Sequence, residues 1–255
     1  MILAWENLAD DATLIAGSAV STLPVENIQN PHLSKKWHTA SSVTAVSCRF
    51  DMGSSVDCSL MALLGTNLTS AATIRIRASD TDPVVTSSLA YDSGVVSAGV
   101  KDGYGAIYKT FAETTSRYWR FDISDATLAD HIEVGRVFIG PSWEPAVNMM
   151  LNWSVTPTDT SRRDKSYAGQ TYIDILPRVR VLQFQLDFLT EAEMYGNAFA
   201  MEFANGIAAD ILGIPDIASS YLSEQAVWGL INSAQPVIER ELGIFQHRIE
   251  IEERL

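Results

Sequence analysis

The residues best able to do chemistry in this chain are few and scattered. Of the four histidines, His32 and His38 bracket the basic pair Lys35–Lys36, His131 opens a strand-like run, and His247 falls on the apolar face of the last one. None stands in an H-E-x-x-H pair, and no Cys/His cluster has zinc spacing. The chain also lacks a G-x-S-x-G elbow, a phosphate-binding loop and a strand-borne G-x-G-x-x-G; the glycines of "KDGYGAIY" suit a hairpin turn. Asp80, Asp82 and Asp92 could offer Ca²⁺ oxygen ligands, or serve as ordinary acidic loop residues, because EF-hand spacing is missing. Carboxylate pairs for glycoside cleavage can lie far apart along a chain, so spacing does not decide on them. The expectation is a protein with no enzymatic activity, no metal and no cofactor.

The remaining candidates are binding residues. His38, beside Trp37, can meet a polar ligand or simply sit at a strand entrance. Arg162, Arg163 and Lys165 crowd into "SRRDKS", which reads either as a solvated loop tip or as a contact for an acidic neighbour. His247 reads as a core or interface histidine. Cys48 and Cys58 flank the turn "DMGSSVD" on adjacent strand-like runs, where a bridge is geometrically feasible; two buried thiols are expected, since nothing suggests export.

These residues must be held by a folded chain. At 255 residues the sequence suits one large or two ordinary domains, and 47% hydrophobic with 19% charged residues describes a globular protein. The net charge of -13 argues against a surface that grips nucleic acid. Acidity is spread evenly, with 10 basic and 16 acidic residues before Pro145 and 8 and 15 from there on. The N-terminus lacks signal-peptide character, and no apolar run reaches the roughly 18 to 20 residues of a membrane helix. Assembly in a cytoplasm, without membrane insertion, is the expectation.

Alternation dominates the first half. "SVTAVSCRFDMG" and "SLMALLG" read as two strands, ending at Gly53 and Gly65. In "ATIRIRAS", Ile74 and Ile76 oppose Arg75 and Arg77, which puts the arginines on a wet face. "SRYWRFDIS" sets Trp119, Phe121 and Ile123 against Arg120 and Asp122, and "HIEVGRVFIG" follows in the same style. The Ser-, Gly- and Asp-rich residues 79–105 read as loops and short edges. After the joint "GPSWEPAVNM", "MLNWSV" and "TYIDIL" are strands separated by the polar loop "TPTDTSRRDKSYAGQ". "VRVLQFQLDFL" alternates Leu182, Phe184, Leu186 and Phe188 against Gln183, Gln185 and Asp187. Near residues 190–205 lies one amphipathic helix, opened by the capping box "TEAE" and closed by "NG". Its stripe Tyr195, Phe199, Phe203 is expected to dock on a sheet. "FQHRIEIEE" ends the chain as a strand with Phe245, His247, Ile249 and Ile251 inward.

Three separated motifs, Trp37-His38-Thr39, Asp51-Met52-Gly53 and Arg117-Tyr118-Trp119-Arg120, fall in the order seen in the discoidin-like, coagulation-factor C-type (galactose-binding-like) β-sandwich. Residues 24–143 resemble that family. The resemblance makes Trp37 a packing residue closing one end of the sandwich. It also implies glycan or lipid-headgroup capture by loops, for which Tyr91, Tyr104, Tyr108 and His38 are the candidates. The second half, by element order and by "DILGIPD…AVWGLI…FQHRIEIEE", resembles the tube-forming domain of long-tailed phages, and the two together resemble phage distal tail proteins. The fold expected is mainly β: a discoidin-like sandwich over residues 1–145 and a tail-tube-like ring-forming domain over 146–255.

That resemblance implies a structural virion protein at a tail tip, in a hexameric ring that joins the tail tube to hub and host-recognition proteins. DNA would pass through the lumen without specific binding. Arg162, Arg163, Lys165, Phe184, Phe245 and His247 are the expected interface residues, and the runs at 181–189 and 245–253 the expected open edges between subunits. The alternative is a glycan-binding adhesion module.

Overall fold

Period-two alternation over most of the chain makes strands, and the computed structural model describes residues 1–82, 84 and 88–255 as mainly β. In chain order the strands begin with β1 (Ile2–Ala4), β2 (Thr13–Ala16), β3 (Trp37–His38), β4 (Ala45–Leu64), β5 (Thr73–Ser79) and β6 (Tyr91–Asp92). Next come β7 (Val96–Ser97), β8 (Ile107–Ser124), β9 (Glu133–Val134), β10 (Arg136–Gly140), β11 (Ser154–Asp159) and β12 (Arg162–Lys165). The last are β13 (Thr171–Asp174), β14 (Arg178–Thr190), β15 (Ile211–Ile214), β16 (Val227–Ile231), β17 (Ile238–Glu241) and β18 (Ile244–Glu253). Helix α1 (residues 191–205) follows β14, and a single turn α2 (Leu222–Gln225) precedes β16. No helix among the described residues is long and apolar enough to cross a membrane.

The chain forms two compact units, and they do not divide at residue 145 alone. One is Glu6–Ser142; the other joins Met1–Trp5 to Trp143–Leu255. The N-terminal strand β1 leaves the expected first domain because it pairs with β15, Ile2 against Ile214 and Ala4 against Leu212. The 6–142 unit is thus inserted in sequence between two pieces of the other.

The inserted unit is built on a sheet of order β10-β4-β8-β5-β6, with β2 added to β4 and β7 to β5. The two strands expected between Ser42 and Gly65 are one. β4 runs through both and pairs with β8 from Ala45↔Ser124 to Leu63↔Ile107. Its ladder shifts register between Asp51 and Val56, and Gly53 takes φ +76°, so a bulge bends the strand where a turn was expected. Trp37 is fully buried with Phe50, Trp119 and Phe121 in the core. Its indole Nε1 donates to the Ser18 carbonyl at 2.9 Å, so the one polar atom of the ring is satisfied. It packs, as its motif implied. Cys48 and Cys58 are both free, buried thiols, and burial pushes the Cys58 thiol up to about 12. Within residues 79–105, Pro83, Val85, Thr86 and Ser87 lie outside the described residues.

The two ends of this unit meet. The Asn7 side-chain oxygen accepts from Ile139 N–H at 3.0 Å, and its Nδ2 donates to the Val137 carbonyl at 3.0 Å. A Cβ on Gly140 would stand 2.1 Å from the Glu6 carbonyl oxygen, an approach that excludes any side chain there.

The split unit is a sheet of order β1-β15-β16-β18-β14-β11, with β17 also on β18. Its core gathers Leu3, Leu182, Phe184, Leu186, Met194, Met201, Phe245 and Ile251. Leu3 and Trp143 exchange two backbone hydrogen bonds, 2.9 and 2.7 Å, along the outer side of β1. β14 and β18 are interior strands, paired on both sides, which overturns the expectation that they are open edges. The outermost strand on the far side is β11, and Pro157 within it removes a donor that an incoming strand would need.

Candidate assembly interface

α1 begins as its sequence dictates. The Thr190 hydroxyl accepts from Glu193 N–H at 3.3 Å, the Glu193 carboxylate accepts from Thr190 N–H at 3.1 Å, and Gly206 ends the helix at φ +53°. A π turn occupies Met194–Ala198. The buried face is Met194, Ala198, Met201, Glu202 and Asn205, spaced as one side of a helix. Of its polar members Asn205 is held, its Nδ2 donating to the carbonyls of Trp5 and Asp210, each at 2.9 Å, while Glu202 Oε1 is buried without a hydrogen bond among the described residues. Glu202 Oε1 lies 3.1 Å from His247 Nε2.

The expected stripe Tyr195, Phe199, Phe203 does not dock inward. It lies one residue further round and faces out, with 48, 42 and 83% of each residue exposed. Small and unbranched Met and Ala side chains fill the helix–sheet gap, so the rings go to the surface. They form a contiguous ladder: Tyr195 and Phe199 centroids are 5.9 Å apart, Phe199 and Phe203 stack at 6.1 Å, and Tyr195 meets Phe245 edge-on at 5.6 Å. Single exposed apolar residues are ordinary, and a joined aromatic run is a candidate interaction surface. Phe188 is also exposed while Asp187 is buried, the reverse of strict alternation, because the β14–β18 ladder shifts between Leu186 and Leu189.

The second exposed feature is the basic segment. The expected loop is a β-hairpin, β12 paired with β13 from Arg162↔Asp174 to Lys165↔Thr171, turning at Gly169 with φ +83°. It continues the β11–β14 ladder, in which Asp159 faces Arg178. β13 therefore pairs with β12, and β11 with β14, so the two runs "MLNWSV" and "TYIDIL" are not each other's partners. Every β12 and β13 residue is exposed, and so are Tyr167 and Ile175.

Of the expected interface residues, Arg162, Arg163 and Lys165 stand on this hairpin. Phe184, Phe245 and His247 are buried in the split unit's own core, where Phe184 faces Ile249 across the ladder and His247 faces Leu186. The sequence signal that finds the surface instead is the second helical stripe, offset by one from the Met/Ala face.

The expected sugar-contacting residues differ in their settings. Tyr91 stacks on Phe111 at 4.8 Å, Tyr108 is buried, Tyr104 is exposed, and His38 lies 3.3 Å from Glu133. Asp82 is paired with Arg49, Asp92 with Arg75, and Asp80 accepts from Arg117 N–H at 3.1 Å. The Arg75 guanidinium holds the Asp92 carboxyl down at about 2. Among the described residues, no three His, Cys, Asp or Glu side chains come together as metal ligands would. A depression of about 400 Å³ does lie over β4, β5 and β8, lined by Ser47, Thr73, Arg75, Arg77, Arg120 and Asp122 among others.

No protein-family model and no curated protein matches the sequence. Among solved structures, chitosan-binding module 1 from a chitosanase/glucanase of Paenibacillus sp. IK-5 is similar at 20% identity and a TM-score of 0.42, covering 52% of this chain and 98% of that one. CpGH89CBM32-5 of Clostridium perfringens, in complex with GalNAc-β-1,3-galactose, is similar at 10% identity and a TM-score of 0.44, covering 53% and 99%. A fucose-binding module of Streptococcus pneumoniae is similar at 12% identity and a TM-score of 0.42, covering 53% and 95%.

Proposed function

We propose that this protein is a structural, self-assembling component whose split β-unit docks side by side with copies of itself into a closed ring. The observation that carries this reading is the outward aromatic ladder of Tyr195, Phe199 and Phe203 on α1. Fully burying an exposed ring of this size contributes roughly 1.5–3 kcal/mol, and Tyr195 and Phe199, already about half covered, gain correspondingly less. The occupant is a second copy because the chain carries the complement. The β12–β13 hairpin offers exposed Tyr172 and Ile173 with Arg162, Arg163 and Lys165, while exposed Glu191, Glu239 and Glu241 lie on α1 and β17. Glu239 is the cross-strand partner of Phe245, which Tyr195 touches. A hairpin-to-helix contact is head-to-tail, and such contacts close into rings when the rotation allows. β14 and β18 are interior and offer no edge, so the proposed contact between copies runs through side chains of α1 and the hairpin.

A hexamer at the tip of a long-tailed phage tail, between the tube protein and hub proteins, is the setting in which we place the ring; the resemblance in element order supports it. The net charge of -13 suits a lumen that DNA traverses without sticking. The test is light scattering on the chain and on the double variant Phe199→Ser/Phe203→Ser. The wild-type chain should run as a defined oligomer and the variant as a folded monomer; an unchanged variant oligomer would remove the ladder from the contact.

A second reading, glycan capture by the inserted unit, is favoured by one observation, the polar depression over β4, β5 and β8.

A further inference from the structure

Strand register makes a polar grid on one face of the inserted unit's sheet. Across β4, β8 and β5 the rows are Ala45–Ser124–Thr73, then Ser47–Asp122–Arg75, then Arg49–Arg120–Arg77. The alternate rows, with Val46, Ile123 and Ile74 in the first, point into the core. The depression of about 400 Å³ lies over this grid.

Its chemistry is directional. Arg75 grips Asp92 side-on through Nε at 2.8 Å and Nη2 at 2.5 Å. Arg120 also uses Nε and Nη2, at 3.0 and 2.6 Å, but both meet one and the same oxygen of Asp122, and Arg77 Nη2 reaches the other oxygen at 2.5 Å. Each side-on grip leaves the Nη1 edge of its guanidinium uncommitted among the described residues, and Arg77 Nε–H is buried without a partner. Three guanidiniums thus face two carboxylates, a local positive excess on a strongly acidic protein. Ser47, Thr73 and Ser124 add hydroxyls at the same wall, and no aromatic ring lines it among the described residues.

We propose that this sheet face binds a carboxylated saccharide: guanidinium forks take the carboxylate, while Asp122 and the hydroxyls take ring hydroxyls. The absence of a stacking platform in the lining disfavours a neutral sugar. This inference rests on the glycan-capture reading above and moves the site from the loop tyrosines to the arginine grid.

The experiment is titration calorimetry of the full chain with 3′-sialyllactose and tri-galacturonate, with lactose and inorganic phosphate alongside. Both carboxylated saccharides should bind, lactose should give no heat, and phosphate should bind more weakly than either. Arg120→Gln and Arg75→Gln should each weaken binding roughly tenfold or more, as loss of a charged hydrogen bond does. Thr73→Trp, which fills the depression without removing a charge, covers the case in which an arginine variant fails to fold; it should abolish binding with the melting temperature kept. Lactose binding that survives these variants would keep glycan capture and overturn the site. Phosphate binding as tight as the saccharides would make the grid a plain oxyanion site and overturn the ligand class, and no heat with any ligand would overturn both readings.

Discussion

At the scale of single residues, partners decide more than residue type. His247 is inward as its alternation indicates, yet its neighbour is Glu202 of the same unit, so it has no free face for a partner. Trp37 was legible through the motif order that carries the discoidin-like resemblance, and burial with a satisfied Nε1 is the outcome. Tyr91 and Tyr108 were misjudged as loop aromatics, because single-sequence texture does not reveal which tyrosines the core recruits. Asp92 yields a pH test. Arg75 lowers its carboxyl from 3.8 to about 2, so the charged form stabilises the folded state above the unfolded value of 3.8. That contribution should fade as pH falls towards 2. Denaturation of wild type and Asp92→Asn should therefore differ most above pH 4 and converge near pH 2; solvent exposure keeps the difference small. A constant gap down to pH 2 would show that the pair does not titrate as described.

At the scale of elements, capping signals and alternation were readable and faces were not. Thr190, Glu193 and Gly206 bound α1 where the sequence puts its ends. Two stripes, Met/Ala and aromatic, both fit helical spacing, and apolarity alone favoured the larger rings. The sheet took the smaller set, on the face from which Asn205 reaches the carbonyls of Trp5 and Asp210. The β14 bulge likewise inverts Asp187 and Phe188, which no period-two reading anticipates. The basic segment is a hairpin whose strands contact no core, so it is separable. Replacing residues 161–175 with a short Gly-Ser turn should leave the melting temperature of the rest within a few degrees, since exposed segments carry little stability. It should also lower the assembled mass to that of a monomer. Retained assembly would take the hairpin out of the interface.

At the scale of the whole molecule, the mainly β class was legible from alternation, while the nesting of one unit within the other was not. Five residues at the N-terminus carry no local sign that their partner strand begins at Ile211, since strand pairing over that separation is set by tertiary fit. Nesting makes a prediction about autonomy. Residues 6–142 have their own core and adjoining ends, so the excised unit should fold alone with a single cooperative transition; failure to do so would show that the split unit is needed to hold it. The split unit has its own core but an uncovered aromatic face, which in the proposed ring is covered by other copies. Native mass spectrometry of the full chain, over a dilution series from high micromolar, tests this most directly. One closed oligomer is expected, with six subunits, dissociating to monomer without a ladder of open intermediates. A monomer at every concentration, with the aromatic face of α1 left bare to solvent, would contradict it.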